Sequence, residues 1–334
     1  MATEVPLDVQ LLVIEWVFRS SQHKHIDFAT LRACALVCRA WSRLAQRLIF
    51  RHIRCTDLRG ESCDIHLLVR TLILLPHLAA HVRYIKAAWP SHPPDYSDVC
   101  LSLLELCRHV EGISFMGRDY NNHSLTAELD ARMRAIPLRP VLLETIGLAK
   151  AICRTILDMF PGARVLGFRT DYEHPLPPTV NALEINAHSA HQYLSHLHPL
   201  PALCSLCLIT PWWPGGTLGN HLISSGVLPQ LRYLEIQGLF PPQEILEQLF
   251  QLKTLVVSML PEQHVALPPS LQHVGYHIDY LSCGVAPAAE IVVNPLRVLS
   301  ELRLVTVTRE LKNRVQAALE TMCRDRGVDF GIYA

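Results

Sequence analysis

Neither sign of charge predominates in this chain: 30 lysines and arginines stand against 30 aspartates and glutamates, and the isoelectric point is near 7.3. Partners that need a basic field along their length, nucleic acids and anionic membranes above all, are therefore not expected. Nor does any block of like charges occur. A secretory leader is not expected, because Glu4, Asp8 and Glu15 stand where basic and then purely apolar residues would be needed. The most apolar stretch, residues 66–80, is broken by Arg70 and Pro76 and is too short to span a bilayer. A soluble protein of cytosol or nucleus is expected. The 11 cysteines are odd in number and follow no framework, so they read as small buried hydrophobes. No phosphate-binding loop, dinucleotide fingerprint, nucleophile elbow or His-Glu-x-x-His motif occurs. No catalytic residue, metal site or cofactor is assigned, and the chain does not read as an enzyme.

The residues present divide into two modules. Residues 5–53 contain no glycine, and their one proline, Pro6, suits the first turn of a helix. Val9, Leu12, Val13, Trp16 and Val17 then form one helical face, and Leu7, Leu11, Ile14 and Phe18 a second. A helix apolar on two sides must bury both, one of them against a further element or another protein. Asp27 is a candidate N-cap for a second helix. The apolar pattern then continues to about Ile53, as one long helix or two.

These residues carry a resemblance. Val5-Pro6-Leu7-Asp8 with Leu11, Leu12 and Ile14 resembles the Leu-Pro-x-Glu opening of an F-box, with Val5 and Asp8 as mild departures. Leu31 and then Ala35-Leu36-Val37-Cys38-Arg39-Ala40-Trp41 are similar to its Leu-x-Val-Cys-Arg-x-Trp core. Leu44-Ala45 and Leu48-Ile49-Phe50-Arg51-His52-Ile53 resemble its closing helix. The style is that of the F-box-like proteins abundant in mushroom-forming fungi. The resemblance implies a three-helix unit over 1–58 that docks onto the Skp-type adaptor of a cullin–RING ubiquitin ligase. It places Pro6, Leu7, Leu11, Ile14, Leu36, Val37 and Trp41 at that interface. The competing interpretation is a helical cover for the end of the second module.

That second module, 59–334, repeats the pattern apolar-x-x-apolar-x-apolar. It reads Val82/Ile85/Ala87, Val110/Ile113/Phe115, Leu143/Ile146/Leu148, Ala163/Leu166/Phe168 and Val180/Leu183/Ile185. It continues through Leu203/Leu206/Leu208, Leu231/Leu234/Ile236, Leu252/Leu255/Val257, Leu271/Val274/Tyr276 and Leu299/Leu302/Leu304. The starts lie 28, 33, 20, 17, 23, 28, 21, 19 and 28 residues apart, a mean near 24. Most of these intervals suit leucine-rich repeats. Pro161, Pro178, Pro201, Pro229 and Pro269 each stand two residues before a start, and proline is tolerated at a strand entrance but not within a strand. The asparagine that such repeats place after the strand is absent. The fold expected is therefore α/β: the helical unit, then an irregular, horseshoe-like leucine-rich solenoid of ten short parallel strands, closed by a capping helix over 308–326. Thr308 would cap that helix and Gly327 would stop it.

Alternation along each strand selects residues for the concave face. Glu184, Asn186, Tyr233, Glu235, Gln237, His273, His277 and Arg303 are the candidate binding residues there, and their mixed charges suit a protein partner. Cys204 and Cys207 form a Cys-x-x-Cys, but residues three apart on a strand point to opposite faces. His188, His191, His196 and His198 lack a clear completing ligand. The function expected is recruitment of a protein substrate to the ligase. The alternatives are a ligase-independent scaffold and a small-ligand receptor. If the core is a stacked leucine row, Leu234→Ala lowers the unfolding free energy by about 2–5 kcal/mol in urea titrations.

Overall fold

A computed structural model of the chain describes residues 9, 12–14, 28–55, 65–88, 94–117, 127–169, 175–186, 200–209, 217–238, 240–261, 263–276, 289–308 and 313–333. Pro6, Leu7, Leu11, Trp16, Val17, Phe18, Asp27, His277 and the four clustered histidines lie outside these residues. So do the side chains of Asn186 and Thr308. The chain forms two compact units, 1–160 and 161–334.

In the first unit Val9 and residues 12–14 are helical. Helix α1 (Phe28–Val37) and helix α2 (Arg39–Arg51) come after them, separated by Cys38, whose backbone is extended with φ −159° and ψ 168°. The apolar run is thus two helices. Next come β1 (His52–Cys55), α3 (Ile65–Leu74), the short α4 (Pro76–Ala79) and β2 (Tyr84–Ala88). They are succeeded by α5 (Pro94–Leu106), β3 (Gly112–Met116), α6 (Ala127–Ala135), β4 (Leu142–Ile146) and α7 (Lys150–Met159). Strands β1 to β4 pair in sequence order, all parallel.

The second unit contains β5 (Val165–Arg169), β6 (Ala182–Asn186), β7 (Ser205–Ile209), α8 (Thr217–Ser225), β8 (Tyr233–Gln237), α9 (Gln243–Leu246) and β9 (Thr254–Val257). It continues with β10 (His273–Tyr276), α10 (Ala289–Arg297), β11 (Leu304–Thr308), α11 (Asn313–Arg326) and β12 (Asp329–Tyr333). Strands β5 to β12 are again parallel and in sequence order. Parallel neighbours require a crossover between every pair, and the helices and irregular returns supply it.

The core of the second unit is a pair of stacked rows. Leu166, Leu183, Leu206, Leu234, Leu255, Val274 and Val305 align through the strand register, and each is at most 2% exposed. Phe168, Ile185, Leu208, Ile236, Val257, Tyr276 and Val307 form the second row. The stacking of Leu183, Leu206, Leu234 and Leu255 is as expected from the sequence. The prolines have a specific place. Pro178, Pro201, Pro229 and Pro269 stand directly after the carbonyls of Pro177, Leu200, Leu228 and Pro268, each of which accepts the amide three residues on. They hold the second position of a tight turn, where a fixed φ costs nothing, and not the strand itself.

All ten expected segments contain strands, but two are displaced by three residues. In β4 the core positions are Leu143 and Thr145, so Thr145 is buried and Glu144 faces the other way. In β11 they are Val305 and Val307, which pair with Val274 and Tyr276. The template matches itself at a shift of three there, and the β-branched run Val305-Thr306-Val307-Thr308 decides for the later register. Two strands are unexpected. The closing helix stops at Arg51, and His52 and Ile53 belong to β1, because Ile53 and Cys55 alternate into the core. The helix expected at 308–326 begins at Asn313, Thr308 ends β11, and β12 comes after the helix. Gly327, at φ 65°, does stop that helix.

A further correction concerns Ile14. The resemblance assigns Ile14 to the partner interface, yet it is 1% exposed in a cluster with Leu31 and Leu48, against which Cys34, Trp41, Leu44 and Ile49 pack. Val9, Leu12 and Val13, from the opposite stripe, are 42%, 63% and 52% exposed. Both stripes are apolar, so hydrophobic period alone could not tell the inner from the outer. Ile14 is thus a core residue, and a charge placed there would report on folding rather than docking.

Candidate protein-interaction surfaces

Two kinds of surface are on offer: the strand face left open by the core, and the helices of the first unit. On the open face of the first unit the register aligns Arg54, Lys86, Ser114 and Glu144 in one row, and His52, Tyr84, Gly112 and Leu142 in the next. Tyr84 lies across β3, and its hydroxyl donates to Glu144 Oε2 at 2.7 Å, two strands away. Gly112 makes room for it: a Cβ there would stand 2.7 Å from Tyr84 Cδ2. The His52 ring lies 5.5 Å from that of Tyr84, centroid to centroid. Burial, with the Arg51 and Arg54 charges, lowers the His52 pKa. Burial first, and then the Glu144 carboxylate, raises the Tyr84 phenol above its ordinary range. Sequence reasoning misses Glu144 and its bond to Tyr84, through the three-residue displacement of β4.

In the second unit Tyr233, Glu235 and Gln237 occupy alternate positions of β8. Tyr233 donates its hydroxyl to Glu235 Oε2 at 2.7 Å, and Gln237 Nε2 donates to Oε1 at 2.8 Å. Both carboxylate oxygens are thereby held in place. Glu184 and Cys207 align with Glu235 through the register, so two acidic positions flank the Cys207 strand. His273 Nε2 lies 2.9 Å from Thr306 Oγ1. Asn186 ends β6, in register with Ile209 and through it with Gln237. The structure brings Glu184, Tyr233, Glu235, Gln237 and His273 onto one face as expected.

Arg303 is the exception. It precedes β11, is exposed, and stands at the strand entrance; Leu304 and Thr306 take the open-face positions. The reason is again the displaced register. At that entrance Glu301 accepts from Lys253 Nζ at 3.0 Å and Gln272 Nε2 at 3.2 Å, and these hydrogen bonds hold its carboxyl below the usual range. Cys204 likewise stands before its strand, with Sγ 3.4 Å from the Asn181 carbonyl oxygen, while Cys207 lies on the open face. Among the described residues no group of three or more His, Cys, Asp or Glu is placed to hold a metal ion.

In the helical unit Leu36 and Val37 are 87% and 62% exposed, at the end of α1. Trp41 instead packs against the Ile14, Leu31 and Leu48 cluster, which makes it a support for the fold. Among the described residues no helix is long and apolar enough to cross a membrane.

No protein-family description and no curated protein matches the chain. Among solved structures, a Bacteroides fragilis protein aligns with 14% identity and a TM-score of 0.40, covering 76% of this chain. The chain spans 66% of that protein's length, and a likeness at this level carries nothing over.

A phenol whose pKa is raised by folding contributes stability below its unfolded pKa and loses it as pH rises toward and through the folded one. Stability should therefore decline above about pH 10, where unfolded tyrosines ionise. Tyr276, fully buried, is raised by burial in the same direction. Tyr84→Phe should flatten this alkaline decline without abolishing it, as read from thermal melts across the alkaline range.

Proposed function

We propose that the chain is a substrate-recruiting, non-enzymatic interaction protein. Its N-terminal helices would engage the Skp-type adaptor of a cullin–RING ubiquitin ligase as an F-box does, and its leucine-rich solenoid would hold a protein substrate. The observation that carries this reading is the exposure of Leu36 and Val37 within the segment that resembles the F-box core motif. A leucine and a valine next to each other in water are unfavourable unless something covers them, and each contributes about 1.5–3 kcal/mol when fully buried. Val9, Leu12 and Val13 supply further uncovered apolar surface in the same unit. The motif's tryptophan, Trp41, packs inward, which fits a division between residues that hold the helices together and residues that meet a partner.

The open face of the second unit suits substrate recognition. Glu235 is fixed by two donors, with Glu184 two strands away in the same row and the His273–Thr306 pair further along. Fixed polar groups cost little ordering on binding and reward a partner of complementary shape. Ubiquitin transfer itself would be carried out by other subunits.

The test is a pull-down of the full chain with purified Skp-type adaptor. Leu36→Asp with Val37→Asp should weaken capture by more than about tenfold, since each lost apolar contact is worth roughly a factor of ten or more. The thermal melt should stay unchanged, because both side chains are exposed in the free protein. Undiminished capture by the double variant would reject this surface. Failure of the unaltered chain to bind would favour the ligase-independent scaffold.

A further inference from the structure

Residues 28–55 contain six arginines, Arg32, Arg39, Arg43, Arg47, Arg51 and Arg54, and no aspartate or glutamate. Four of them, Arg39, Arg43, Arg47 and Arg51, recur at every fourth position of α2, and all four are exposed. At a rise of about 1.5 Å per residue they form a ladder with rungs about 6 Å apart along one broad face. The opposite face is occupied: Ala45 and Leu48 are buried in the unit's core, with Trp41 and Leu44 beside them. The ladder therefore faces solvent.

Three of its four charges lack an ion pair: among the described residues, Arg39, Arg43 and Arg47 make no salt bridge. Close to Arg47, the His81 pKa is lowered, first by burial and then by the charges of Arg47, His77 and Arg83, so the neighbouring groups are predominantly basic. Arg83 is tied to Glu111 at 3.3 Å, which leaves the helix ladder itself uncompensated by that carboxylate. Like charges four apart on a helix repel, and Arg39 stands at the positive end of the helix dipole, where a cation is disfavoured. Arg51, in the last turn, suits the dipole, but the three rungs before it gain nothing from it in the isolated protein.

We infer that the arginine ladder of α2 is a docking surface for an acidic protein segment, a helix bearing carboxylates at matching intervals of about 6 Å. The exposed residues next to the ladder choose between anionic partners. Leu36 and Val37 immediately precede Arg39 across the Cys38 break, and an uncovered leucine and valine gain nothing against a phosphate backbone. A membrane surface offers no fixed spacing of charges to match the ladder, and the chain carries no net charge to draw it to an anionic bilayer. A protein helix with carboxylates along one edge and apolar side chains at its end satisfies both features. The inference holds whether or not that protein is the ligase adaptor.

The experiment uses the full chain and a synthetic helical peptide carrying glutamate at every fourth position and leucines at one end. Its glutamine counterpart, a lysine counterpart and single- and double-stranded DNA oligonucleotides are measured in parallel by fluorescence anisotropy at low salt. Arg43→Glu with Arg47→Glu reverses the middle of the ladder, and Arg43→Gln with Arg47→Gln removes charge more gently should the reversal disturb the melt. The glutamate peptide should bind more tightly than the glutamine peptide. Either double variant should weaken it by about tenfold or more, with the reversed chain gaining affinity for the lysine peptide. Equal binding of the glutamate and glutamine peptides, unchanged binding by the variants, or tighter binding of an oligonucleotide would each overturn the inference. No adaptor enters this assay, so its failure is distinct from failure of the ligase reading.

Discussion

The carbonyl that precedes each strand governs the architecture. In the second unit the carbonyls of Arg164, Asn181, Cys204, Arg232, Lys253 and Gln272 each accept two successive amides from the next repeat, at 2.8–3.2 Å. Those of Arg83 and Glu111 do the same in the first. A buried peptide group must find a partner, and here one acceptor satisfies two donors at the point where the chain turns into the strand. The arrangement fixes the stagger between neighbours to a single value. Leucine then meets leucine down the core row whatever the length of the crossover between them. Repeats of unequal length can therefore share one register, which reconciles the irregular sequence spacing with a regular strand stack.

The open strand faces arise from that constraint. With register fixed, alternate residues are committed to the open face, and residues two or more strands apart are brought within reach. Tyr84 bridges to Glu144 over Gly112 for this reason. The residue that supplies each entrance carbonyl is held at a rim, where Lys253, Gln272 and Glu301 pair. The helical unit obeys a different logic. Its small core of Ile14, Leu31 and Leu48 consumes one side of each helix and leaves arginines, Leu36 and Val37 outside.

The strand positions were legible in the sequence because buried residues recur with period two inside each strand and prolines mark the turns before them. The register of β4 and β11 was not: at β11 the apolar template fits twice, and at β4 the second core position is a buried threonine, Thr145, which an apolar template passes over. The displaced register puts Glu144 on the open face and Arg303 at a strand entrance, neither of which the pattern indicates. Strands β1 and β12 escaped notice for another reason. Both are short, and each adjoins a helix whose stronger pattern absorbed or ended the reading. The inward side of the first helix was ambiguous because both stripes are apolar, and only packing against Leu31 and Leu48 decides. The arginine ladder was invisible to a search for consecutive like charges, although a search at every fourth residue would have found it.

Amide hydrogen exchange tests the central constraint most directly. The paired entrance amides of Arg232 and Tyr233, Lys253 and Thr254, and Gln272 and His273 share acceptors in the preceding repeat. Both members of each pair should exchange slowly, with protection close to that of the strand-centre amide of Leu234. Exchange of these pairs at the rate of an unstructured peptide, with Leu234 still protected, would contradict the account.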